Sequence, residues 1–499
     1  MPGINSSHSQ LRILVGISSY GTGHLNFLKR IIEAYQSMPM DIHVVVFSDA
    51  PKDLGPNVEV IVGLPAKNPW TLPFAHKPVF AQRVELFDLF IYSEDDIGVS
   101  ENQIRAFQQA TAELAPDEIA GFLRYEINTS GEWFLTEPWG HFHWKPASVK
   151  QRGNYTIAEF TNEHAGFYIL TQWQLKQAIA SGGFLREPYK ARYSWPETAA
   201  TDPYTSCGFH KVICISALDD YLVHHLPNRY VNDLPVSLST FRQQIETLIK
   251  IRDGTHTANT LCEVEPSAWY NSWQKTYFEK SSEDLINLVR LRGPKVLSVG
   301  CGWGATEQTL KRSGKEVTVL PLDSIIGADV ARLGIEVIYG SLDEGFEKLT
   351  GRQFDCVIIT NLLHLQRSPM SLLQDCIRLV SEDGALVLSG PNFDRLPWLA
   401  KRMLGLGSFQ KLRSFEQSGI SICGPKSLLA TLVAAGFRVP VVRWVNHEIY
   451  SPRFRGARIS LGRHTARDWI LCATRNRKKV SSGAQFAAAP SDTLTPIDR

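Results

Sequence analysis

Glu94, Asp95 and Asp96 stand directly behind the apolar run "LFDLFIYS". Three adjacent carboxylates repel one another, so a cation or water has to compensate them. Carboxylate oxygens at a strand end suit Mg²⁺ or Mn²⁺. An ion of that kind bridges a diphosphate and stabilises its charge as it leaves. If the strand continues through the triplet, Glu94 and Asp96 share one side, and Asp96 is the expected direct ligand. Two further stretches carry groups of this type. "ALDDYLVHHLPNRYV" supplies Asp219, Asp220, His224 and His225, and "EFTNEHAGFYILT" places Glu163 and His164 before an apolar strand. Glu163 is the candidate general base for an acceptor hydroxyl. Far downstream, "VGCGWGATE" sets Gly300, Gly302 and Gly304 between a strand and a helix. Glycines there permit a tight turn and let a ligand lie against backbone N–H groups. The spacing is G-x-G-x-G, which is neither the G-x-G-x-x-G of dinucleotide sites nor a P-loop. Asp323 ends the next strand, about 20 residues on, where a carboxylate can accept ribose hydroxyls.

The elements that must hold these groups alternate. "LRILVGISSYG" and "IHVVVFSD" read as strands around the helical "LNFLKRIIEAYQSM", a β-α-β opening that predicts a parallel sheet with helices on its faces. "LFDLFIYSEDD" is another strand, and "ENQIRAFQQATAEL" is an amphipathic helix with Ser100 as its cap. From Gly121 to about Tyr230 the chain is rich in aromatics, Gly and Pro, the composition of loop-built binding surfaces. In "GEWFLTEPWGHFHWKP", Trp133, Trp139 and Trp144 offer stacking faces for a sugar, or anchors for a core. A second α/β series opens at "PKVLSVGCGWG" and runs through "KEVTVLPLD", "GIEVIYGSLDE", "FDCVIITNLLHL" and "GALVLSGPN". It closes on "RVPVVRWVNHE" and "RDWILCATRN", read as an antiparallel pair. The fold class is therefore α/β with two domains, 11–250 and 255–475, followed by a disordered tail over 476–499.

The second series resembles the class I S-adenosylmethionine-dependent methyltransferases. The resemblance implies a Rossmann-like domain in which Gly300, Gly302 and Gly304 meet the methionine end of S-adenosyl-L-methionine and Asp323 holds its ribose. Leu342 and Asp343 would flank the adenine. Asn361 and Leu362 would line the pocket near the sulfonium, and His364 is the candidate base where the methyl emerges. One departure stands out: the family usually has an acid two residues before the first glycine, and this chain has Ser298. Glu94-Asp95-Asp96 in turn resembles the D-x-D element of GT-A-fold glycosyltransferases. That implies a nucleotide-sugar donor, a Mn²⁺ or Mg²⁺ ion on Glu94 and Asp96, and a late histidine ligand, His225 or His224.

The chain has 499 residues, 43% of them hydrophobic, with a formal net charge of +2. This balance argues against a dedicated nucleic-acid binder. No apolar run approaches the roughly 18–20 residues of a membrane span. The N-terminus lacks a secretion signal, which predicts a cytoplasmic protein. Eight cysteines without a CxxC pair read as reduced thiols. "SPRFRGARISLGRH" carries Arg453, Arg455, Arg458 and Arg463, either a contact for an anionic acceptor or a solvated basic loop. The leading expectation is an enzyme that transfers a sugar and a methyl group to an oxygen of a glycan or small molecule. Two alternatives stand beside it: a methyltransferase whose front half only binds substrate, and a glycosyltransferase whose methyltransferase domain is degenerate, with Ser298 as the mark of loss. Oligomeric state is not readable from the sequence.

Overall fold

The computed structural model describes residues 11–265, 273–406, 412, 414–447 and 462–475. Arg453, Arg455 and Arg458 and the tail 476–499 lie outside the described residues.

The N-terminal half is built on a five-stranded sheet. Strands β1 (Arg12–Ser19), β2 (Asp41–Ser48), β3 (Val58–Val62) and β4 (Leu89–Glu94) run parallel in the order β4-β1-β2-β3. Phe167–Thr171 adds an antiparallel edge against β4. β1 is buried along nearly its whole length, as expected for a strand covered on both faces. Helix α1 (Leu25–Ser37) buries Leu28, Ile31, Ile32 and Tyr35, a stripe at helical spacing. The helix Glu101–Thr111 begins with a capping box in which the Ser100 N–H donates to Gln103 Oε1 at 2.7 Å.

The C-terminal half contains a seven-stranded sheet. Its order is Glu336–Val337, Glu316–Pro321, Lys295–Cys301, Phe354–Thr360, Val380–Pro391, Ala466–Arg475, Phe437–His447. Ala466–Arg475 runs antiparallel to both neighbours, so the expected antiparallel pair is present. The strand order reverses beside Lys295–Cys301, the central strand that carries the glycine loop. Such reversals open the crevice in which α/β sheets bind ligands.

The two halves are packed against each other. Gln244 Nε2, on the helix Leu238–Arg252, donates to Asp329 Oδ2 at 2.7 Å, and Arg332 Nη2 donates to the Gln243 carbonyl at 2.9 Å. One hydrophobic cluster runs through both, from Trp144, Phe160 and Phe241 to Leu320, Leu362 and Leu388. Trp144 is thus a core anchor, only 2% exposed, and unavailable for stacking on a sugar. Trp139, at 59% exposed, is available. Trp133 lies face to face with Tyr125, ring centroids 4.0 Å apart.

Candidate functional site

β1 and β4 are parallel neighbours with Ser18 opposite Glu94, so the loop after β1 and the acidic triplet meet at one end of the sheet. The triplet is not a continued strand. β4 ends at Glu94 and the chain turns before a short strand, Ile97–Gly98. The expected alternation therefore stops at Glu94, and strand geometry does not by itself put Glu94 and Asp96 on one side. Instead His24, which precedes α1, brings Nδ1 to 3.0 Å from Asp95 Oδ1 and 3.4 Å from Asp96 Oδ2. Among the described residues, His24, Asp95 and Asp96 form the group whose ligand atoms all lie within 4.8 Å of one another.

His225 arrives from the other side. Its strand, Leu222–His225, pairs with Ile97–Gly98, His225 opposite Ile97. That register sets His225 Nε2 3.3 Å from Asp96 Oδ2. Its Nδ1 meets the buried Glu126 carboxylate at 2.5 Å, which fixes the ring's orientation and tautomer. Asp96 Oδ1 is buried and has no hydrogen-bond partner. Burial works to raise the Asp96 pKa, but the hydrogen bond and charge of His225 outweigh it and hold the carboxylate below its usual range. Glu94 shifts the other way: burial, then the Asp96 charge, push its carboxyl up. Arg124, itself ion-paired to Glu137 at 3.0 Å, adds a positive charge felt by both Glu94 and Asp96. Asp219 and Asp220 are elsewhere, engaged on the surface with Arg242 and Asn102. His224 stacks on Tyr125, 4.9 Å between ring centroids.

Glu163 accepts a short hydrogen bond from the Tyr193 hydroxyl and lies 3.4 Å from Arg192 Nη1. Tyr193 stacks at 6.3 Å on Phe142, which sits between His141 and His143.

In the C-terminal half the glycines are needed for shape. Gly300 and Gly304 have φ of +76° and +88°, in the left-handed region that L side chains avoid. A Cβ on Gly302 would lie 2.4 Å from the Tyr277 carbonyl oxygen. That carbonyl accepts the Trp303 N–H at 2.9 Å, so the segment around Tyr277 lies directly on the loop. Asp323 caps the helix Ser324–Arg332 by accepting the N–H groups of Ile325 and Ile326, both at 2.8 Å. Burial pushes its carboxyl up to about 6. Leu342 and Asp343 open the helix Leu342–Lys348, the first half-buried and the second exposed. Asn361 has φ of +49° and a buried Oδ1 without a partner. A strained polar residue at a strand end is a feature that clusters at binding sites. Leu362 is fully buried and packs where a Cβ on Gly300 would be, 2.6 Å from its Cδ2.

His364 is 1% exposed, and its Nε2–H donates to the Trp273 carbonyl at 2.8 Å, leaving Nδ1 unpartnered. Burial pushes its pKa down to about 4, so it is neutral in the folded chain. Between pH 6.5 and 4 the unfolded chain binds the extra proton, and stability falls as pH falls through that window. We expect His364→Gln to lose about 2 kcal/mol less than the natural chain on going from pH 7 to pH 5, read from urea melts at both values.

Sequence reading missed His24, Arg124 and Glu126, and named Asp95 within the acidic triplet without making it a ligand. A sequence signal existed for His24 alone: it closes the "GTGH" turn after a strand that neighbours β4.

The N-terminal loop also reaches the second site. His143 stacks on Tyr277 with centroids 3.9 Å apart, its Nε2 is 3.5 Å from Glu265, and the Tyr277 N–H donates to the Gly140 carbonyl at 2.8 Å. A narrow cleft there is lined by His141, His143, Cys262, Lys275, Tyr277 and Leu365. Its free volume of ≈ 10 Å³ admits about one water.

Residues 280–407 match the family model described as methionine biosynthesis protein MetW. A ubiquinone biosynthesis O-methyltransferase of Erwinia tasmaniensis is 32% identical over 119 residues, covering 22% of this chain and 47% of that protein. The same-named protein of Klebsiella pneumoniae is 35% identical over 120 residues, with the same shares of 22% and 47%. The C-terminal half carries a class I methyltransferase domain. The chain spans about half the length of these curated relatives. A crystal structure of magnesium protoporphyrin IX methyltransferase from Synechocystis with bound S-adenosylhomocysteine aligns with a TM-score of 0.28 and 17% identity, covering 39% of this chain and 83% of that one. Among the described residues no helix is long and apolar enough to cross a membrane.

Proposed function

We propose that the chain is a two-site transferase: the C-terminal domain moves a methyl group from S-adenosylmethionine to an oxygen, and the N-terminal half moves a sugar from a nucleotide diphosphate. The methyl half is supported by the likeness to O-methyltransferases and by a loop of glycines at the strand-order reversal. The observation that carries the sugar half is Asp96, held between two imidazoles with one carboxylate oxygen buried and unpartnered.

The residues of the N-terminal site fit a hard cation. Asp96 and Asp95 offer carboxylate oxygens, and His24 and His225 offer imidazole nitrogens. Glu126 holds the His225 ring as a buried carboxylate holds a metal-ligating histidine elsewhere. A divalent ion there supplies positive charge for a departing diphosphate. Glu94, pushed toward its neutral form, is placed to donate a hydrogen bond instead of ligating. Glu163 takes the acceptor's hydroxyl proton, with Tyr193 fixing its carboxylate through a hydrogen bond.

In the C-terminal site the glycine loop presents backbone N–H groups, and Asp323 and Asn361 bring polar atoms to neighbouring strand ends. S-adenosylmethionine supplies a methyl on a cationic sulfur, so the chain's work is mainly placement. His364, with its free Nδ1 lone pair, takes the acceptor's proton as the bond forms. Tyr277 rests on the glycine loop, its carbonyl accepting the Trp303 N–H, so the covering segment lies against the proposed cofactor pocket. The cleft is lined from both halves, which supports methyl transfer at the domain contact, near the Phe142–Tyr193 link to Glu163.

A second reading keeps the methyltransferase and makes the N-terminal half a binding module. It is favoured by the imidazoles of His24 and His225, which lie within 3.0 and 3.3 Å of the Asp95 and Asp96 carboxylates and partner the acidic turn without a metal. Calorimetry separates the two. The two-site reading expects Mn²⁺ to bind and to sharpen the affinity for a nucleoside diphosphate, whereas no Mn²⁺ effect on a panel of nucleotides would leave the binding module. We expect His143→Ala, which removes the stack on Tyr277, to change the on-rate of S-adenosylhomocysteine several-fold in stopped-flow fluorescence, with Mn²⁺ binding untouched.

A further inference from the structure

Position 298, where the methyltransferase resemblance implies an acid that helps to anchor the cofactor's amino group, is Ser298 on the central strand Lys295–Cys301. The Ser298 hydroxyl is not idle. It donates at 2.7 Å to Oε1 of Glu307, which lies in the first turn of the helix Ala305–Arg312. Glu307 is 3% exposed, and its second oxygen, Oε2, is buried with no hydrogen-bond partner. A buried carboxylate oxygen left unpaired costs about 1–3 kcal/mol or more, so it is seldom kept without a use. The charges nearest it belong to Glu279 and Lys275, on the segment that lies over the glycine loop. Lys275 acts on it by charge alone: its Nζ donates to the Thr360 carbonyl and hydroxyl at 3.0 and 2.8 Å and pairs with Glu279 at 3.4 Å, leaving Glu307 Oε2 without a hydrogen bond.

We infer that Glu307 replaces the missing acid at 298 and that its free oxygen receives the α-ammonium group of S-adenosylmethionine. The inference rests on the methyl-transfer reading. In this chain the anionic group has moved from the strand to the following helix, and Ser298 has become the hydrogen-bond donor that aims it. The departure that suggested a decayed site is on this account a relocation. A carboxylate and an ammonium in a buried site recognise each other by charge and hydrogen bonding together, and neither sulfur nor nucleoside takes part.

The test is calorimetric titration of the full chain with two ligands. S-adenosylhomocysteine carries the amino-acid end. 5′-Methylthioadenosine has the same nucleoside and sulfur without it. Glu307→Gln keeps size and shape and removes the charge. The expected result is a roughly 10- to 100-fold weaker affinity for S-adenosylhomocysteine with affinity for methylthioadenosine unchanged. Adding Ser298→Asp to Glu307→Gln returns the lost affinity. Equal weakening for both ligands, or no weakening for either, overturns the inference while leaving the cofactor reading in place. A natural chain that binds neither ligand overturns both.

Discussion

Asp96→Asn leaves the fold and S-adenosylhomocysteine binding intact and lowers divalent-cation-dependent turnover of nucleotide sugar by at least about 1000-fold. The amide matches the carboxylate in size, so the packing around it is kept. What is lost is the negative charge that His24 and His225 face at 3.4 and 3.3 Å, and with it an anionic ligand. A metal at such a site contributes several kcal/mol toward charge developing on a leaving diphosphate, which sets the scale of the loss. Glu94→Gln separates this account from the strand-alternation reading. If Glu94 stands outside the ligand group, the amide leaves Mn²⁺ affinity within a few-fold of normal. Both are read by Mn²⁺ titration with electron paramagnetic resonance and by product formation. A fully active Asp96→Asn would remove the metal from the mechanism.

The second large effect is on stability. Lys77 and Asp202 are 2% and 0% exposed and are joined by a short hydrogen bond inside the N-terminal half. Asp202 also accepts from Tyr189 Oη at 2.6 Å and Ser206 Oγ at 3.2 Å. Burial drives the Lys77 pKa down, and the Asp202 charge is what opposes it. Asp202→Ala leaves an ammonium group with no counter-charge, and breaking a buried pair in this way costs about 3–5 kcal/mol. The expected result is a large drop in the denaturant midpoint of the N-terminal half. Lys77→Met combined with Asp202→Ala removes both charges and should be more stable than Asp202→Ala alone. Equal stability of the two variants would mean that Lys77 escapes to solvent when its partner is gone.

Much of the fold was legible because its signals are local. β1, α1 and β2 announce themselves by β-branched runs and by the stripe Leu28, Ile31, Ile32, Tyr35. The C-terminal strands do so by short apolar runs separated by helical periods. The site was legible only where one loop supplies the chemistry. The glycine loop and Asp323 could be read because strand, turn and helix are contiguous. The metal-type cluster could be read in part: Asp96 was visible behind its strand, and His225 meets it through a strand pairing that no local pattern encodes. Glu94 and Asp96 were paired by extending the alternation two residues past the strand end at Glu94. His24 was passed over because nothing local in "GTGH" shows that its imidazole reaches the end of a neighbouring strand. Trp144 and Trp139 share one aromatic stretch, yet only tertiary packing decides that one is core and the other exposed. Glu307 gave no signal, since a Glu in a first helical turn is ordinary until its carboxylate is seen against Ser298.

The central claim is that one chain carries two transfer sites. The direct measurement is mass spectrometry of products formed by the purified chain with Mn²⁺, a panel of nucleotide sugars, saccharide acceptors and deuterated-methyl S-adenosylmethionine. The account predicts one acceptor molecule that gains both a glycosyl unit and the labelled methyl, with Asp96→Asn removing the first gain. Label that reaches saccharides with no glycosyl unit ever added, under every nucleotide sugar tested, would contradict it.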